Sequence, residues 1–489
     1  MLKIPFLCNR PSTFSRSCFE VTIDLCIFAH LYIAIYLYFM LNVIKLSKGL
    51  DFELAGKAEN RVEPARKSKV YAIVPDDFTG VKPKPVVREG DRVRAGEPLF
   101  VNKDIPQVQM VSPVSGTVCL VERGERRKLM SIRVEADATQ DYKTFTTADA
   151  EKLTGEEVKA LMLEAGLWAF MRERPYDVIA NPSADAKGIF ISAFSKMPLS
   201  ADFSFVVKDQ MADFQAGLTA LSKIAPVYLG ISPAQAEGEL ARLKDVATTV
   251  FDGPNPSGNV GIQINHIAPI NKGETVWTMG AEAVIFIGRL LRTGVVDLSR
   301  TIAVAGSEVE SPSYANVLIG SEIESIVGGR LQSSEHVRII SGNPLVGCKV
   351  GREGFLGAFA TEVTVIPEGD DVHEMFGWIL PRFSQFSTSR SYFSWLFGKK
   401  REYRLDARIK GGERHIIMAN EYDRVLPMDI LPEFLIKAII TGNIDRMEAL
   451  GIYEIAPEDF AVAEFVDSSK LELQRIVREG LDMFRKEMA

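Results

Sequence analysis

The sequence predicts a multidomain chain of mixed α+β and α/β class, and three observations predict it. At 489 residues the chain is longer than one hydrophobic core supports, because single cores stop growing near about 250 to 300 residues. Strand-like and helix-like runs alternate from residue 150 to residue 299, and the last stretch carries helical periodicity. Composition agrees, since 46% apolar and 25% charged residues are globular proportions. A net charge of −7 with no long basic block argues against nucleic acid as a partner.

Residues 1–42 stand apart as a leader. Residues 25–44 are a run of 20 without Asp, Glu, Lys or Arg, enough for a membrane helix and longer than the roughly 7 to 15 apolar residues of a signal peptide. Met40 falls inside that run, and Val43-Ile44-Lys45-Leu46-Ser47-Lys48-Gly49-Leu50-Asp51 reads as the opening strand and turn of a folded unit. The expectation is a start at or near Met40, the upstream start being misplaced, with a true N-terminal membrane helix as the alternative. As an anchor it would be followed by Lys45, Lys48, Lys57 and Arg61 and preceded by Lys3, Arg10 and Arg16, which favours a cytoplasmic body. Cys8, Cys18 and Cys26 lie in this leader, and Cys119 and Cys348 make neither a disulfide framework nor a Cys-x-x-Cys site. His266, His336, His373 and His415 are scattered and read as structural, so no metal site is expected.

Residues 43–140 form the first unit. Val87-Arg88-Glu89-Gly90-Asp91-Arg92-Val93-Arg94-Ala95-Gly96-Glu97-Pro98-Leu99-Phe100 alternates apolar and polar residues around an Asp/Gly turn, a hairpin signature. Ser112-Pro113-Val114-Ser115-Gly116-Thr117-Val118 supplies a return strand. Together they read as a biotinyl/lipoyl-like β barrel-sandwich hybrid. A carrier domain of that type places Met-Lys-Met at a hairpin tip, whereas Asn102-Lys103-Asp104-Ile105-Pro106-Gln107-Val108-Gln109 offers no lysine on a symmetric turn. A scaffold without its prosthetic group points to a structural or docking role, away from acyl or carboxyl transfer.

Residues 150–299 read as a Rossmann-like α/β domain. Thr154-Gly155-Glu156-Glu157 is a capping box, and Val158, Leu161, Met162 and Ala165 keep helical spacing up to Gly166. Apolar runs at 188–193, 227–230 and 249–251 interleave with helix-like stretches such as 234–247. A nucleotide site would need a glycine-rich turn between strand and helix, so that backbone amides reach phosphate. The nearest clusters are Gly253-Pro254-Asn255-Pro256-Ser257-Gly258-Asn259-Val260-Gly261 and Gly351-Arg352-Glu353-Gly354-Phe355-Leu356-Gly357. Proline breaks the amide nest in the first, and the second has no strand-like run before it. Both read as turns.

From Arg300, Thr301-Ile302-Ala303-Val304-Ala305-Gly306, Ser311-Pro312-Ser313-Tyr314 and Ile319-Gly320-Ser321-Glu322-Ile323-Glu324-Ser325-Ile326-Val327-Gly328-Gly329 read as strand, turn, strand and a short helix with a glycine stop. Residues 300–350 thereby resemble the soluble-ligand-binding β-grasp module. Residues 351–489 are a C-terminal region ending in helices, one opened by Pro432 and stopped at Gly442. Another is capped by Ser469-Lys470-Leu471-Glu472, with Leu473, Ile476, Val477, Leu481 and Phe484 on one face. Before them lies an aromatic cluster, Phe376, Trp378, Ile379, Leu380, Phe383, Phe386, Tyr392, Phe393, Trp395, Leu396 and Phe397, followed by Lys399, Lys400 and Arg401. It reads either as a core strand with a loop or as a segment that docks on a partner or the bilayer edge. The expected interface residues are Phe376, Trp378, Phe393, Trp395, Phe397, Lys399, Lys400 and Arg401.

With these pieces in order, the chain resembles the A subunit of the bacterial sodium-translocating NADH:quinone oxidoreductase over roughly residues 43–489. The resemblance rests on Lys48-Gly49-Leu50-Asp51, Glu89-Gly90-Asp91-Arg92-Val93, Ser112-Pro113-Val114-Ser115-Gly116, Arg172-Glu173-Arg174-Pro175 and Gly377-Trp378. Its most specific part is Glu421-Tyr422-Asp423-Arg424-Val425-Leu426-Pro427-Met428-Asp429-Ile430-Leu431-Pro432. It implies a peripheral subunit on the cytoplasmic face of the inner membrane, among five others that include membrane flavin subunits. It also implies no redox cofactor in this chain, with FAD, FMN, riboflavin and iron–sulfur centres on partner subunits. Ubiquinone or menaquinone would be the substrate of the complex, and quinone contact by this subunit follows from the resemblance without residues to carry it. No catalytic, cofactor-binding or metal-binding residue is assigned here.

Two relatives of that family sharpen the expectation. In the NADH-binding flavoprotein subunit of respiratory complex I a glycine-rich loop cradles FMN, where this chain has Glu164-Ala165-Gly166-Leu167-Trp168-Ala169-Phe170, with bulky Trp168 and Phe170. The iron–sulfur subunit of the ferredoxin:NAD oxidoreductase pump needs Cys-x-x-Cys runs near its end, and no cysteine follows Cys348 here. Family members often carry a cysteine where this chain has Asp467, so a thiol role is not carried over. The rival reading is a polysaccharide-export β-grasp binding protein. A biotin-dependent enzyme comes third, without its carrier lysine.

Overall fold

The computed structural model describes residues 41–333, 335–372, 379–398, 401–417 and 419–488. Most of the charge-free leader run therefore lies outside the described residues. At the centre is a seven-stranded sheet in the order Asn42–Lys45, Ala247–Asp252, Val227–Ile231, Ile189–Ser192, Val276–Met279, Met171–Arg174, Val178–Ile179. The first five strands run parallel, and the last two join through antiparallel pairings. Successive residues of a strand face opposite sides. Accordingly Ile189 and Ile191 enter one core and Phe190 another, while Trp277 and Val276 divide the same way. Both faces are covered, which is why residues 188–193 read as a continuous apolar run without polar alternation.

Helices Met211–Ser222 and Ala281–Thr293 cover one face. They approach through glycines: a Cβ on Gly217 would lie 2.2 Å from the Val284 carbonyl oxygen, and one on Gly288 only 1.8 Å from that of Asp213. Helix Val260–Ile267 and the C-terminal helices cover the other face. The helix Gly155–Glu164 opens on the capping box read from the sequence, with Glu157 accepting from the Thr154 amide at 2.8 Å. The stretch 234–247 is not a helix. Gly238 interrupts it, leaving two 3-10 turns, Pro233–Gln235 and Glu239–Arg242, before the strand that starts at Ala247.

The barrel-sandwich unit combines a four-stranded sheet, in the order Val70–Ile73, Leu129–Ala136, Gly116–Arg123, Arg92–Val93, with a three-stranded sheet of Pro83–Pro85, Pro98–Asn102 and Gln109–Val111. Here the single hairpin expected over residues 87–100 is corrected. Arg92–Val93 pairs with Gly116–Thr117, whereas Pro98–Asn102 pairs into the other sheet, because left-handed turns at Gly90 and again at Gly96 redirect the chain between them. The hairpin at the carrier position joins Pro98–Asn102 to Gln109–Val111, and Asn102 Oδ1 accepts from the Lys82 and Asp104 amides at 3.3 and 3.2 Å. Apolar residues of both sheets, Leu99, Phe100, Met110 and Val134 among them, belong to the same core as the first face of the large sheet.

A mixed six-stranded sheet runs Cys348–Val350, Val337–Ser341, Glu362–Pro367, Ser299–Ala305, Ser313–Leu318, Glu59–Glu63 around helix Ile323–Val327. Strand Cys348–Val350 stands directly before Gly351, so the second glycine cluster does follow a strand, though a turn and not a helix comes after it. Two early strands thus serve elsewhere: Asn42–Lys45 lies beside Thr249–Asp252, and Glu59–Glu63 beside Ser313–Ala315.

At the C-terminus, Pro432–Ile440 begins on its proline, and Gly442 adopts a left-handed φ of 65° after it. Helix Leu473–Met488 buries Leu473, Val477, Leu481 and Phe484 as its spacing predicts. Its expected cap is corrected. Asp467 accepts from the Ser469 and Leu471 amides at 3.0 and 2.8 Å and Glu464 from that of Gln474 at 2.8 Å, so the carboxylates preceding Ser469 satisfy the chain entering the helix.

Candidate docking surface

Residues 375–401 contain Arg382, Arg390, Lys399, Lys400 and Arg401 and no Asp or Glu, in a chain of net charge −7. Proline at 381 and six Ser or Thr residues between 384 and 394 keep the described part, residues 379–398, from forming an α-helix or a strand. It folds instead as a loop turned back on itself, with Phe393 donating its amide to the Pro381 carbonyl at 3.1 Å. Arg382 and Arg390 sit at its left-handed corners, with φ of 45° and 57°.

One side chain ties the loop down. Phe386 lies 5.2 Å from Phe52, 5.4 Å from Tyr403 and 5.8 Å from Phe465, ring centre to ring centre, and Phe52 stacks on Phe465 at 4.4 Å. Beyond this anchor the rings turn outward. Phe393 is 50% exposed, Trp395 46% and Phe397 60%, in the short turn Phe393–Phe397, and Ile379, Leu380, Phe383 and Leu396 are exposed with them. Phe383 gathers them, 5.9 Å from Phe393 and 6.1 Å from Phe397. Cations overlie the rings: Arg382 on Tyr392 and Arg390 on Trp395, both at 5.7 Å, and Arg401 on Phe397 at 4.9 Å. Of the eight residues expected at an interface, Phe393, Trp395, Phe397 and Arg401 are therefore brought together. Phe376, Trp378, Lys399 and Lys400 lie outside the described residues. The core-strand reading does not match the described part of the segment.

A doubly wound sheet usually takes a ligand at the carboxyl ends of its strands, where the strand order reverses. Around the sheet here, segments distant in sequence are tied together by the chain's own residues. Leu50 donates to the Asn255 carbonyl and Asn255 to Asp51, both at 2.8 Å, and Gly49 donates to the Arg424 carbonyl at 3.1 Å. Gln263 donates to Ser192 Oγ at 2.9 Å, and Arg174 crosses to Asp459 at 2.8 Å. Trp168, buried in the turn Leu167–Phe170, donates Nε1 to the Ala180 carbonyl at 2.8 Å and packs edge-on against Trp277.

Three further groupings were not legible in the sequence. A cleft of ≈ 410 Å³ is lined by Lys272, Asp429, Leu431, Glu448, Tyr453 and Glu454, with Lys272 paired to Glu448 at 2.8 Å. Burial pushes the Glu454 carboxyl above its ordinary range. Such a lining differs from the mostly apolar wall that a quinone prefers. Glu282, Arg300 and Glu362 form a buried cluster between the large sheet's helix and the mixed sheet, with Arg300 Nε 3.0 Å from Glu282. His336 and the adjacent pair Asp370 and Asp371 bring ligand atoms within 4.8 Å of one another at the surface, and all three are exposed.

Among the described residues no helix is long and apolar enough to cross a membrane. Three family profiles match the chain in succession: the NqrA N-terminal barrel-sandwich hybrid domain over residues 44–137, the NqrA second alpha/beta domain over 153–296, and the NQRA C-terminal domain over 301–352. Curated relatives named as the A subunit of the Na(+)-translocating NADH-quinone reductase include that of Neisseria meningitidis serogroup B, 33% identical over 449 residues. Those of Serratia proteamaculans and Haemophilus influenzae are 34% identical over 452. In each case the match spans 91% of this chain and 100% of the relative. A solved NAD+-reducing [NiFe]-hydrogenase aligns over 45% of this chain and 49% of its own at 14% identity with a TM-score of 0.32, too weak to bear on the fold. Matched over their full length, these relatives and the three successive domain profiles place the chain in one family, that of the A subunit of the Na+-translocating NADH-quinone reductase.

Proposed function

We propose that this chain is the peripheral, docking subunit of the sodium-pumping reductase, a complex that couples NADH oxidation and quinone reduction to Na+ export. The observation that carries membership is the match at 33–34% identity over the whole length of relatives of that name. On this reading the redox chemistry belongs elsewhere in the complex. FAD, FMN, riboflavin and iron–sulfur centres sit on partner subunits among five others that include membrane flavin subunits, ubiquinone or menaquinone is the complex's substrate, and the chain lies on the cytoplasmic face of the bacterial inner membrane. Its units are read as a barrel-sandwich hybrid (43–140), a Rossmann-like domain (150–299), a β-grasp module (300–350) and a helical C-terminal region (351–489). The polysaccharide-export alternative is not favoured by relatives that match the full body.

The docking contact is proposed for Phe393, Trp395, Phe397 and Arg401, continued by Phe376, Trp378, Lys399 and Lys400. Contiguous exposed aromatics with a cationic rim are what interaction surfaces favour. Replacing Phe393, Trp395 and Phe397 together by serine is expected to release the protein from washed membranes and lower quinone reduction. NADH oxidation by an artificial acceptor at a partner flavin subunit should survive. A variant that stays on the membrane, or one that aggregates and loses its thermal transition, would overturn the assignment of these residues.

A further inference from the structure

We propose that the loop of residues 379–398, with Arg401, reads an anionic lipid surface, its rings and arginines seated in the headgroup layer of the bilayer. The proposal rests on the docking reading above and names the occupant of that surface. Charge is the first argument. The described residues 379–398 and 401 carry Arg382, Arg390 and Arg401 and no Asp or Glu in a chain of net charge −7, and such a cationic segment is drawn to a negatively charged leaflet. A protein partner would need acidic groups in register with arginines at irregular loop corners, whereas a leaflet offers negative charge without register.

The second argument is the composition of the exposed face. Arg390 over Trp395 and Arg401 over Phe397 pair a guanidinium with a ring, so that each can meet phosphate on one side and glycerol or upper acyl carbons on the other. Trp and other amphipathic rings favour that depth. The third argument limits the insertion. Unpaired backbone groups cannot enter hydrocarbon, and the hydroxyl-rich irregular chain between Phe383 and Phe393 suits polar headgroups. The loop therefore lies in the interface. Phe386, held against Phe52 and Phe465, fixes the loop to the body and sets the exposed rings outward before any membrane is met.

The test uses the full chain carrying Trp378→Phe, leaving Trp395 as the exposed indole beside the buried Trp168 and Trp277. With vesicles of phosphatidylcholine and about a third phosphatidylglycerol, Trp395 emission should shift to the blue and be quenched by lipids brominated near the headgroup. Neutral vesicles and high salt should suppress both effects. Replacing Arg390 and Arg401 by glutamine should weaken anionic-vesicle binding about 25-fold, at about fivefold for each charge near the surface. Replacing both by lysine should preserve it. Equal quenching on neutral and anionic vesicles, or none on either, overturns the proposal. If Trp395 is unquenched while the triple serine variant still leaves native membranes, the surface docks on a protein partner and only the lipid assignment fails. If both tests fail, the docking reading falls with it.

Discussion

Arg174 and Asp459 form a fully buried ion pair, Nη1 to Oδ2 at 2.8 Å, that joins the antiparallel edge of the large sheet to the C-terminal helices. A Cβ on Gly261 would stand 2.4 Å from both partners, so the helix that begins at Val260 can pass only with glycine at that position. Removing one partner strands a charge in the interior at a cost of about 3 to 5 kcal/mol. Arg174→Met should lower the urea midpoint accordingly, and Arg174→Met with Asp459→Leu should recover part of the loss. Equal midpoints for the single variant and the parent chain would show that the pair contributes nothing.

Gly288 lets helix Ala281–Thr293 touch its neighbour. With the Asp213 carbonyl 1.8 Å from the position of an added Cβ, Gly288→Ala must push two packed helices apart. Overpacking of this kind costs about 1 to 3 kcal/mol, and the upper end is expected because backbone cannot swing aside. Alanine at the solvent-facing Gly273, which has nothing within 4 Å, supplies a contrast that tests only its left-handed φ of 84°. Chemical denaturation of the two variants separates crowding from backbone strain.

Burial lifts Glu282 from its ordinary 4.5 to about 7, Arg300 opposes the shift, and Glu362 adds to it. Glu362 is itself raised by burial. A carboxyl whose folded pKa is raised binds its proton more tightly when folded. Stability is therefore highest below pH 4.5 as far as this group is concerned, falls as pH rises to about 7, and is level beyond. The span corresponds to about 3 kcal/mol. Thermal midpoints of the parent chain and Glu282→Gln, compared between those limits, should converge at the acid end and separate in favour of the glutamine variant at the neutral end. Parallel curves would rule out titration of Glu282 in this window.

The aromatic loop should respond in two opposite ways. Phe386→Ala opens the cluster of Phe52, Tyr403 and Phe465 and is expected to cost about 2 kcal/mol for a half-buried ring. Phe397→Ser, on an exposed ring, should stay within about 0.5 kcal/mol. Thermal unfolding of both variants decides it, and a large loss at Phe397 would mean that the outward rings are held as core.

What the sequence made legible was local. Thr154 and Glu157 cap their helix because both ends of that contact lie within one turn, and Leu473, Val477, Leu481 and Phe484 announce a buried stripe by spacing alone. Misreadings came where a distant or merely better-placed group won. Asp467 and Glu464 displaced the Ser469 box, and two left-handed glycines split the expected hairpin between sheets. The order of aromatic and basic residues after Phe376 pointed to the candidate surface. Which ring turns inward did not follow, since a loop has no period that would separate Phe386 from Phe397. The cluster of Glu282, Arg300 and Glu362 was invisible for a related reason: its members come from three elements, and only the packing of one sheet against another unites them.

The threading of the strands Asn42–Lys45 and Glu59–Glu63 has a bearing on biosynthesis. Asn42–Lys45 and Glu59–Glu63 leave the ribosome before any of their sheet neighbours, and their partners at Thr249–Asp252 and Ser313–Ala315 are translated only after the barrel-sandwich strands and most of the parallel sheet. These two segments must wait as open chain and then zip onto edges already formed. Assembly of the body thus closes from its own beginning, and a nascent chain halted before residue 313 would keep both the third unit and its N-terminal edge strand unmade.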